Sequence, residues 1–526
     1  MKKHYFFNGW LIAGAVIIAM LMNACTTPEY QKAIPADAVA VVELDVKNIG
    51  IKSDFIEQKD KIADLIASIE PRDRMFKKFA EIVKKPMNSG LDLSKPVYLF
   101  ALSTVKDAFG VAAIKDQDEF IKTLTSFSDN FDVRSSGEIS WIYVEDQLLG
   151  AVTKNTLLCT ATGLTKEKSV YRDLLEQKKK ESFWATRDAK MMRRHHGDIT
   201  AMVNMPALSN KAKRDIRNDL ERELGSQDIE EIWNQLLEAR IVANLRFKSG
   251  KLEMNLYAGG IDEISTNLLA KKIEPDDLKK IPNHNLTGVI AFGIDGNAFR
   301  KTTDQELRPF VRQMSREERD IYNALGDFIG SMDGTIIGSV GGKDIVHNPK
   351  LLGIIPTPKL ETRNMIQTIG EKLPEDVYLE GNSTHTAITN LSNYDFEAVQ
   401  SPFEKTSNAK SAYLYAYLKA EPVINAVFDD MTRHADRAEM KVYNQIRNLF
   451  DLADYAELKA ETGNWLQVLL SRTHKMMGHN TEGENKLSLT LYLNDNSKNA
   501  LSLITERYIA IGEAIVDYEN NRADRY

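Results

Sequence analysis

The sequence predicts an α+β protein of several related modules, each an antiparallel sheet with helices packed on it. Three observations carry that prediction. Four apolar strands run straight into helical segments: Val41-Val42-Glu43-Leu44-Asp45 into Val46-Lys47-Asn48-Ile49, and Ala201-Met202-Val203-Asn204 into Met205-Pro206-Ala207-Leu208. The others are Ile290-Ala291-Phe292-Gly293-Ile294-Asp295 into Asn297-Ala298-Phe299, and Tyr413-Leu414-Tyr415-Ala416-Tyr417-Leu418 into Glu421-Pro422-Val423-Ile424. Two apolar runs flank Ser249-Gly250, a hairpin turn signal. Finally, Leu487, Leu489 and Leu491 alternate with polar residues, as a half-buried strand should. The irregular spacing of the four strand-to-helix entries excludes a solenoid.

The chain opens on Lys2, Lys3 and His4, followed by an apolar stretch from Trp10 to Met22. A membrane span needs roughly 20 apolar residues, so this shorter stretch fits the hydrophobic region of an export signal better. It ends in Leu21-Met22-Asn23-Ala24-Cys25, which resembles the lipobox of bacterial lipoproteins. In that family the thiol receives a diacylglyceryl group, the signal is cut before the Cys, and the new amine is acylated. The resemblance implies a lipoprotein signal peptide over 1–24, lipidation at Cys25 and a lipidated tether over 25–34. Met22 and Asn23 depart from the usual pattern, being larger or more polar. Two or more acyl chains give stable anchoring where one does not. Thr26 rather than an Asp follows the Cys, which implies the outer membrane. The segment Thr26-Thr27-Pro28-Glu29-Tyr30 holds one acid, so no acidic surface-export tag is present and the face of the membrane stays open.

The modules follow, at 35–193, 194–281, 282–402 and 403–526. Soft boundaries are expected at Arg193–Gly197, Lys271–Asn285 and Val399–Lys410. Further strands are expected from Val97 to Leu102, Phe109 to Ile114, Trp141 to Val144, Leu148 to Val152, Ile241 to Phe247 and Leu252 to Tyr257. Thr335 to Val340, Leu351 to Ile355 and Val377 to Leu379 complete the set. Asp45, Asn204 and Asp295 suit helix N-caps, because a short oxygen-bearing side chain satisfies free N–H groups there. Pro206 and Pro422 suit a first helical turn. Asn210 to Ala239 is expected to be helical. In the last helix Leu501, Ile504, Tyr508, Ile511 and Ile515 form a heptad-like stripe expected to cover a sheet of its own domain, the alternative being a seat for a partner helix.

Ile34-Pro35-Ala36-Asp37-Ala38-Val39-Ala40-Val41-Val42, Leu44-Asp45-Val46-Lys47, Ser89-Gly90-Leu91-Asp92-Leu93-Ser94-Lys95-Pro96-Val97-Tyr98-Leu99-Phe100 and Val111-Ala112-Ala113-Ile114-Lys115-Asp116 together resemble a family. It is the Gram-negative lipoprotein family catalogued as domain of unknown function 4836. The resemblance is best over the first third. It implies a lipoprotein address and brings no activity, cofactor or catalytic residue.

Composition excludes some functions. Loss of the signal removes two of the 68 basic residues and none of the 75 acidic ones, taking the net charge from −7 to −9. Nucleic-acid binding wants a basic stripe and is disfavoured. The balance also gives no help against an anionic membrane, so the expected membrane partner is reached through the lipid on Cys25. With Cys25 lipidated, Cys159 is alone, in an apolar strand where a thiol behaves as a small hydrophobe.

Several near-motifs fail on spacing. Ser103-Thr104-Val105-Lys106, Ser128-Asp129-Asn130 and Lys248-Ser249-Gly250 imitate the penicillin-recognising serine enzymes. In that chemistry the serine starts a buried helix, whereas Ser103 ends a strand and Lys248-Ser249-Gly250 is a hairpin tip. His195 and His196 are adjacent and diverge. His474, His479, Glu482 and Glu484 have metal-ligand types but spacing wrong for one helix face. Gly338-Ser339-Val340-Gly341-Gly342 lacks the order and the Lys of a phosphate loop. Trp141, Trp184, Trp233 and Trp465 are too scattered for a sugar platform, and the pairs Asp276-Asp277 and Asp429-Asp430 are expected on the surface. The expectation is therefore no catalytic residue, no metal and no cofactor. The chain is read as a non-enzymatic binding or scaffolding lipoprotein of the cell envelope, meeting an envelope protein or an external ligand. The alternative is a hydrolase of envelope or nutrient polymers whose site is assembled from distant residues.

Overall fold

The computed structural model describes residues 28–523 except for 70–73, 103–107, 129, 162–166, 225–232, 234–236, 238, 260–270, 284, 307–310, 313, 346, 358–363, 365–373, 375, 397–400, 404–408, 410–411, 434 and 462–484. Cys25, the Ser103–Lys106 motif, His474, His479, Glu482, Glu484 and Trp465 lie outside the described residues. The chain divides into two compact units, one of Met1–Lys47 and Lys85–Arg194, the other of Asn48–Lys84 and His195–Tyr526.

The first unit is an antiparallel sheet of β1 (Ala40–Leu44), β2 (Val97–Ala101), β3 (Ala108–Ala113), β4 (Phe131–Ser136), β5 (Ile139–Val144), β6 (Gln147–Val152) and β7 (Thr156–Thr160). The strands lie in the order β1-β2-β3-β7-β6-β5-β4. On one face the Gln117–Phe127 helix packs Phe120, Ile121 and Leu124 over Ile142 and Val152. Asp116 caps it by accepting from the Glu119 N–H at 3.0 Å. Elsewhere Tyr171, fully buried, meets Phe109 and Trp141 edge-on and donates to the Leu149 carbonyl at 2.9 Å. Chain already packs at Tyr30, Ala33 and Ile34, inside the stretch expected to be a free tether. Phe183 N–H donates to Ile34 O at 2.8 Å, and Ala36 N–H to Glu181 O at 2.8 Å. Glu29–Ala33 is a short 3-10 helix within the 25–34 stretch expected as a tether.

The second unit is a longer antiparallel sheet. Its strands are β8 (Ile199–Asn204), β9 (Arg240–Lys248), β10 (Lys251–Gly259), β11 (Leu286–Asp295), β12 (Asp333–Gly341) and β13 (Lys350–Pro356), then β14 (Tyr378–Gly381), β15 (His385–Thr389), β16 (Leu414–Lys419), β17 (Ala453–Ala460) and β18 (Asn485–Leu493). Pairing gives the order β8-β9-β10-β18-β17-β16-β11-β12-β13-β15-β14. The β9–β10 hairpin turns at Ser249 and Gly250, whose φ of 68° is a left-handed value that glycine tolerates.

All four strand-to-helix entries are present: β1 into Val46–Lys52, β8 into Met205–Ala207, β11 into Gly296–Glu306 and β16 into Ala420–Met431. Asn204 caps by accepting from Ala207 N–H at 3.3 Å and Asp295 by accepting from Ala298 N–H at 3.0 Å. Of the expected Asn210–Ala239 helix the structure describes Asn210–Leu224 as one element. The last helix, Ala500–Ala523, corrects the expected stripe. Tyr508 and Ile515 are exposed, while Leu503 and Ile509 are buried. The packed side runs past Gly512, where an added Cβ would meet Leu65 Cδ2 at 2.4 Å. Close approach to the Phe55–Ile69 helix therefore sets the rotation of this helix, and the largest apolar side chains do not.

Candidate functional site: a tyrosine and carboxylate face

Because successive side chains of a strand point to opposite faces, the register of β9, β10, β18, β17 and β16 sorts the second sheet into two surfaces. One is apolar: Met254 lies opposite Leu489, Leu489 opposite Leu458, Leu458 opposite Ala416, and Ala416 opposite Ile290. The other is polar and aromatic. Lys251 faces Tyr492, Tyr492 faces Tyr455, and Tyr455 faces Lys419. One step along, Glu253 faces Thr490, Thr490 faces Glu457, and Glu457 faces Tyr417.

At its centre is the buried carboxylate of Glu457. Tyr415 donates its hydroxyl to Glu457 Oε1 at 2.7 Å, and the Tyr492 hydroxyl bonds the same carboxylate. A buried carboxylate without such donors would carry a large desolvation cost. Rings stack beside it, Tyr455 on Tyr492 with centroids 4.4 Å apart, and Tyr417 tilted to Tyr455 at 5.2 Å. Burial, reinforced by the charges of Glu457 and Asp454, pushes the Tyr455 phenol up to about 12. Burial and Glu457 also push Tyr492 upward. Lys248 and Lys251 reach Glu253 at 2.5 and 2.7 Å. Burial works against the Glu253 anion, but these two ammonium groups hold its carboxyl below the ordinary range. Lys251 also lies 5.8 Å from the Tyr492 ring centroid. An amide ladder borders the patch: Ser488 Oγ donates to Asn255, Asn255 donates to Asn244, and Asn244 donates to the His195 carbonyl.

This arrangement offers flat aromatic surface, fixed hydrogen-bonding groups and both signs of charge. Those are the elements of a surface that recognises a polar partner. Sequence reasoning weighed tryptophans and passed over these tyrosines. Their signal was present: Tyr415 and Tyr417 alternate in one strand, Tyr455 sits in the strand beside it, and Tyr492 in the strand beyond that.

Toward β11–β15 the same face is covered. Ile273, Leu278, Ile281, Tyr394 and Phe403 close over Val289, Ala291, Ile337, Leu352 and Ile354. Asp277, expected on the surface, is buried there, whereas Asp276 is exposed. The Asp277 carboxylate lies 3.2 Å from His385 Nε2 and pairs with Lys280. Burial alone would raise its pKa, but His385 and Lys280 more than offset that and bring it down to about 2. His385 Nδ1 lies 2.8 Å from Thr384 Oγ1.

The other residues weighed from sequence are dispersed. Lys248-Ser249-Gly250 is the expected hairpin tip, and Ser128 ends the Gln117–Phe127 helix. His195 stacks on Tyr257 at 3.5 Å. Trp141, Trp184 and Trp233 are buried, so none offers a stacking surface. Cys159 is half-buried in β7, and burial pushes its thiol upward despite a hydrogen bond to Gly110. β12 ends at Gly341 with Gly342 just after it, and Asp429 is exposed. Among the described residues no three His, Cys, Asp or Glu side chains cluster as a metal site would, and no helix is long and apolar enough to cross a membrane.

Residues 30–288 match the family model described as "Domain of unknown function (DUF4836)". The phrases that carried the sequence resemblance all fall within it. Among solved structures, crystal form III of TP0453 is similar at 10% identity and a TM-score of 0.26, covering 50% of this chain and 89% of that one. Crystal form I of TP0453 is similar at 11% identity and a TM-score of 0.25, covering 45% and 79%. Values this low carry no argument about fold or function. No curated protein matches the chain.

Proposed function

We propose that this DUF4836-containing chain is an outer-membrane lipoprotein that binds a partner and performs no reaction, anchored by lipid on Cys25. The Leu21-Met22-Asn23-Ala24-Cys25 motif supports the anchor, with a cationic start and a short apolar stretch before it. The observation that carries the binding reading is the Tyr417, Tyr455, Tyr492 and Glu457 face. Its rings and carboxylate are held by one another, which orients them before any partner arrives. The anchored chain leaves little slack, since packing begins at Tyr30. The protein therefore works close to the bilayer.

The test is fractionation of cells expressing the native chain or Cys25→Ala, followed by protease shaving beside a periplasmic control. The expected result is a native protein that partitions with membranes and a Cys25→Ala protein that is released. Equal membrane retention of both would overturn the anchor. Digestion in intact cells would place the binding face outside, and protection until lysis would place it toward the periplasm.

A further inference from the structure

The second sheet has a surface opposite the tyrosine face, and part of it is left open. The row Met254, Leu489, Leu458, Ala416 and Ile290 continues through Gly338 of β12 to Gly353 of β13. The row beside it runs in the same register from Leu252 through Leu418 to Leu351. Neither row holds a charged residue. Lys251, Glu253, Glu457 and Lys419 alternate onto the opposite surface.

Helices cover this apolar surface at two places. Phe328 and Ile329 of the Arg316–Ser331 helix pack over Phe292, Leu414 and Leu487. Leu449 of the Arg437–Phe450 helix and Leu503 of the last helix pack over Leu252 and Leu491. Other side chains of the two rows stay in the open: Ile290 is 50%, Leu351 49%, Leu418 46%, Met254 44% and Leu489 37% exposed. Ile321 and Leu325 share the side of their helix with Phe328, at i, i+4 and i+7, yet both are more than half exposed.

Extent and charge select the occupant. From β10 to β13 the rows cross seven strands. That is about 29 Å at the ordinary strand spacing. Two rows of that length offer on the order of 600 Å² of apolar surface, and Ile321 and Leu325 carry it toward the about 800 Å² that each partner of a stable dimer buries. A single alkyl chain would leave most of this surface in water. A foreign protein brings its own charges to rows that have none to pair with them, and burying charges unpaired is costly. A second copy brings the same uncharged rows, and a two-fold axis sets them against each other.

We propose that a second copy of this chain occupies the open rows, the two sheets packing apolar face to apolar face about a two-fold axis. Ala416, Gly338 and Gly353 leave gaps beside Leu489, Ile290 and Leu351 into which the partner's larger side chains fit, as they do between packed sheets. Each copy's tyrosine face lies on the other side of its sheet, so the pair presents two of them outward. The dimer goes beyond the partner-binding reading and does not depend on it.

The test is made on the full chain, in cells that express two differently tagged copies. Benzoylphenylalanine replaces Ile290 and, in a separate strain, Glu138, an exposed turn residue that serves as the control. Cells are irradiated intact, before detergent can enter the apolar face. The expected result is an adduct of twice the chain's mass that carries both tags, formed from position 290 and absent from position 138. Met254→Lys with Leu351→Lys is expected to lower that adduct roughly tenfold with unchanged far-ultraviolet circular dichroism, since the interface would bury unpaired ammonium groups. If those changes disturb folding, the chain without them still decides through position 290 against 138. Adducts of equal yield from both positions would report crowding and overturn the proposal. A 290 adduct to lipid or to another protein, without the two-tag species, assigns the face to that occupant and overturns it. No adduct at 290 overturns it as well.

Discussion

The two ends of one sheet face in the second unit are built in opposite ways. Toward β11–β15 the face is aliphatic and is closed over by Ile273, Leu278, Ile281, Tyr394 and Phe403, with Asp277, Lys280 and His385 as an internal polar tie. Toward β10, β18 and β17 it is made of tyrosines, a carboxylate and lysines that satisfy one another. The covered end gains its stability from area removed from water, with its few charges paired inside. The other end is held by ring stacking and hydrogen bonds, and meets the cover where Phe403 packs edge-on against Tyr415 and Tyr417. The difference is one of means: the covered end is held by burial, and the tyrosine end, where the proposed binding face lies, by mutual hydrogen bonds and ring stacking.

The largest expected effect tests the cover. Gly293 lies in β11 on the covered side, and a Cβ there would meet the Lys271 carbonyl oxygen at 1.9 Å and the Lys271 carbonyl carbon at 2.6 Å. Those atoms are backbone, so they cannot swing aside as a side-chain tip would. Gly293→Ala is expected to cost about 3 kcal/mol by displacing the covering segment. Gly338, on the apolar face of neighbouring β12, is the control, since its Cβ would meet only Ile290 Cγ2 at 3.4 Å. Gly338→Ala should change stability by less than about 1 kcal/mol. Urea unfolding of both variants decides it, and equal losses would show that the cover is not what Gly293 admits.

The next effect is an acid response. Asp277 has its pKa brought down to about 2, so the folded state favours the anion. A depressed carboxylate contributes stability that is complete above its unfolded pKa, near 4, and lost as pH falls toward 2. Asp277→Asn is expected to cost about 2 kcal/mol at neutral pH, less as the pH falls through that window. Unfolding curves at a series of pH values check this. A cost constant from neutrality to pH 2 would show that the tie to Lys280 and His385 contributes nothing.

The covered end was the harder to read from sequence. Asp277 sits in a charged stretch and looks solvated, and its partner His385 is more than a hundred residues away, so no local pattern joins them. The α+β class, the strand-to-helix entries and the β9–β10 hairpin were legible because each depends on neighbours in the chain. β4, β15 and β17 were not expected. β4, Phe-Asp-Val-Arg-Ser-Ser, is mostly exposed and carries little apolar signal. β17, Ala-Asp-Tyr-Ala-Glu-Leu-Lys-Ala, has helix-forming composition and is a strand because β16 and β18 pair with it on both sides. Losing β17 hid the tyrosine face as well, since that face exists only when Tyr455 stands between Tyr417 and Tyr492.

The smallest expected effect on stability belongs to that face. Tyr455→Leu removes the ring stacked on Tyr492 and tilted to Tyr417 while keeping an apolar side chain in the strand. A cost of about 1 kcal/mol is expected, the size of an aromatic pair. Its pH signature is opposite to that of Asp277. The Tyr455 phenol is pushed up to about 12, above the ordinary tyrosine value near 10. A group with a raised folded pKa contributes stability that is full below its unfolded value and lost as pH climbs through the folded one. The native protein should therefore lose stability between about pH 10 and 12, and Tyr455→Leu should lose less across that interval. Ultraviolet titration of phenolate absorbance should show one fewer late-ionising tyrosine in the variant. An unchanged alkaline titration would mean that Tyr455 meets water freely, and the tyrosine face would then lack the fixed geometry that makes it a recognition surface.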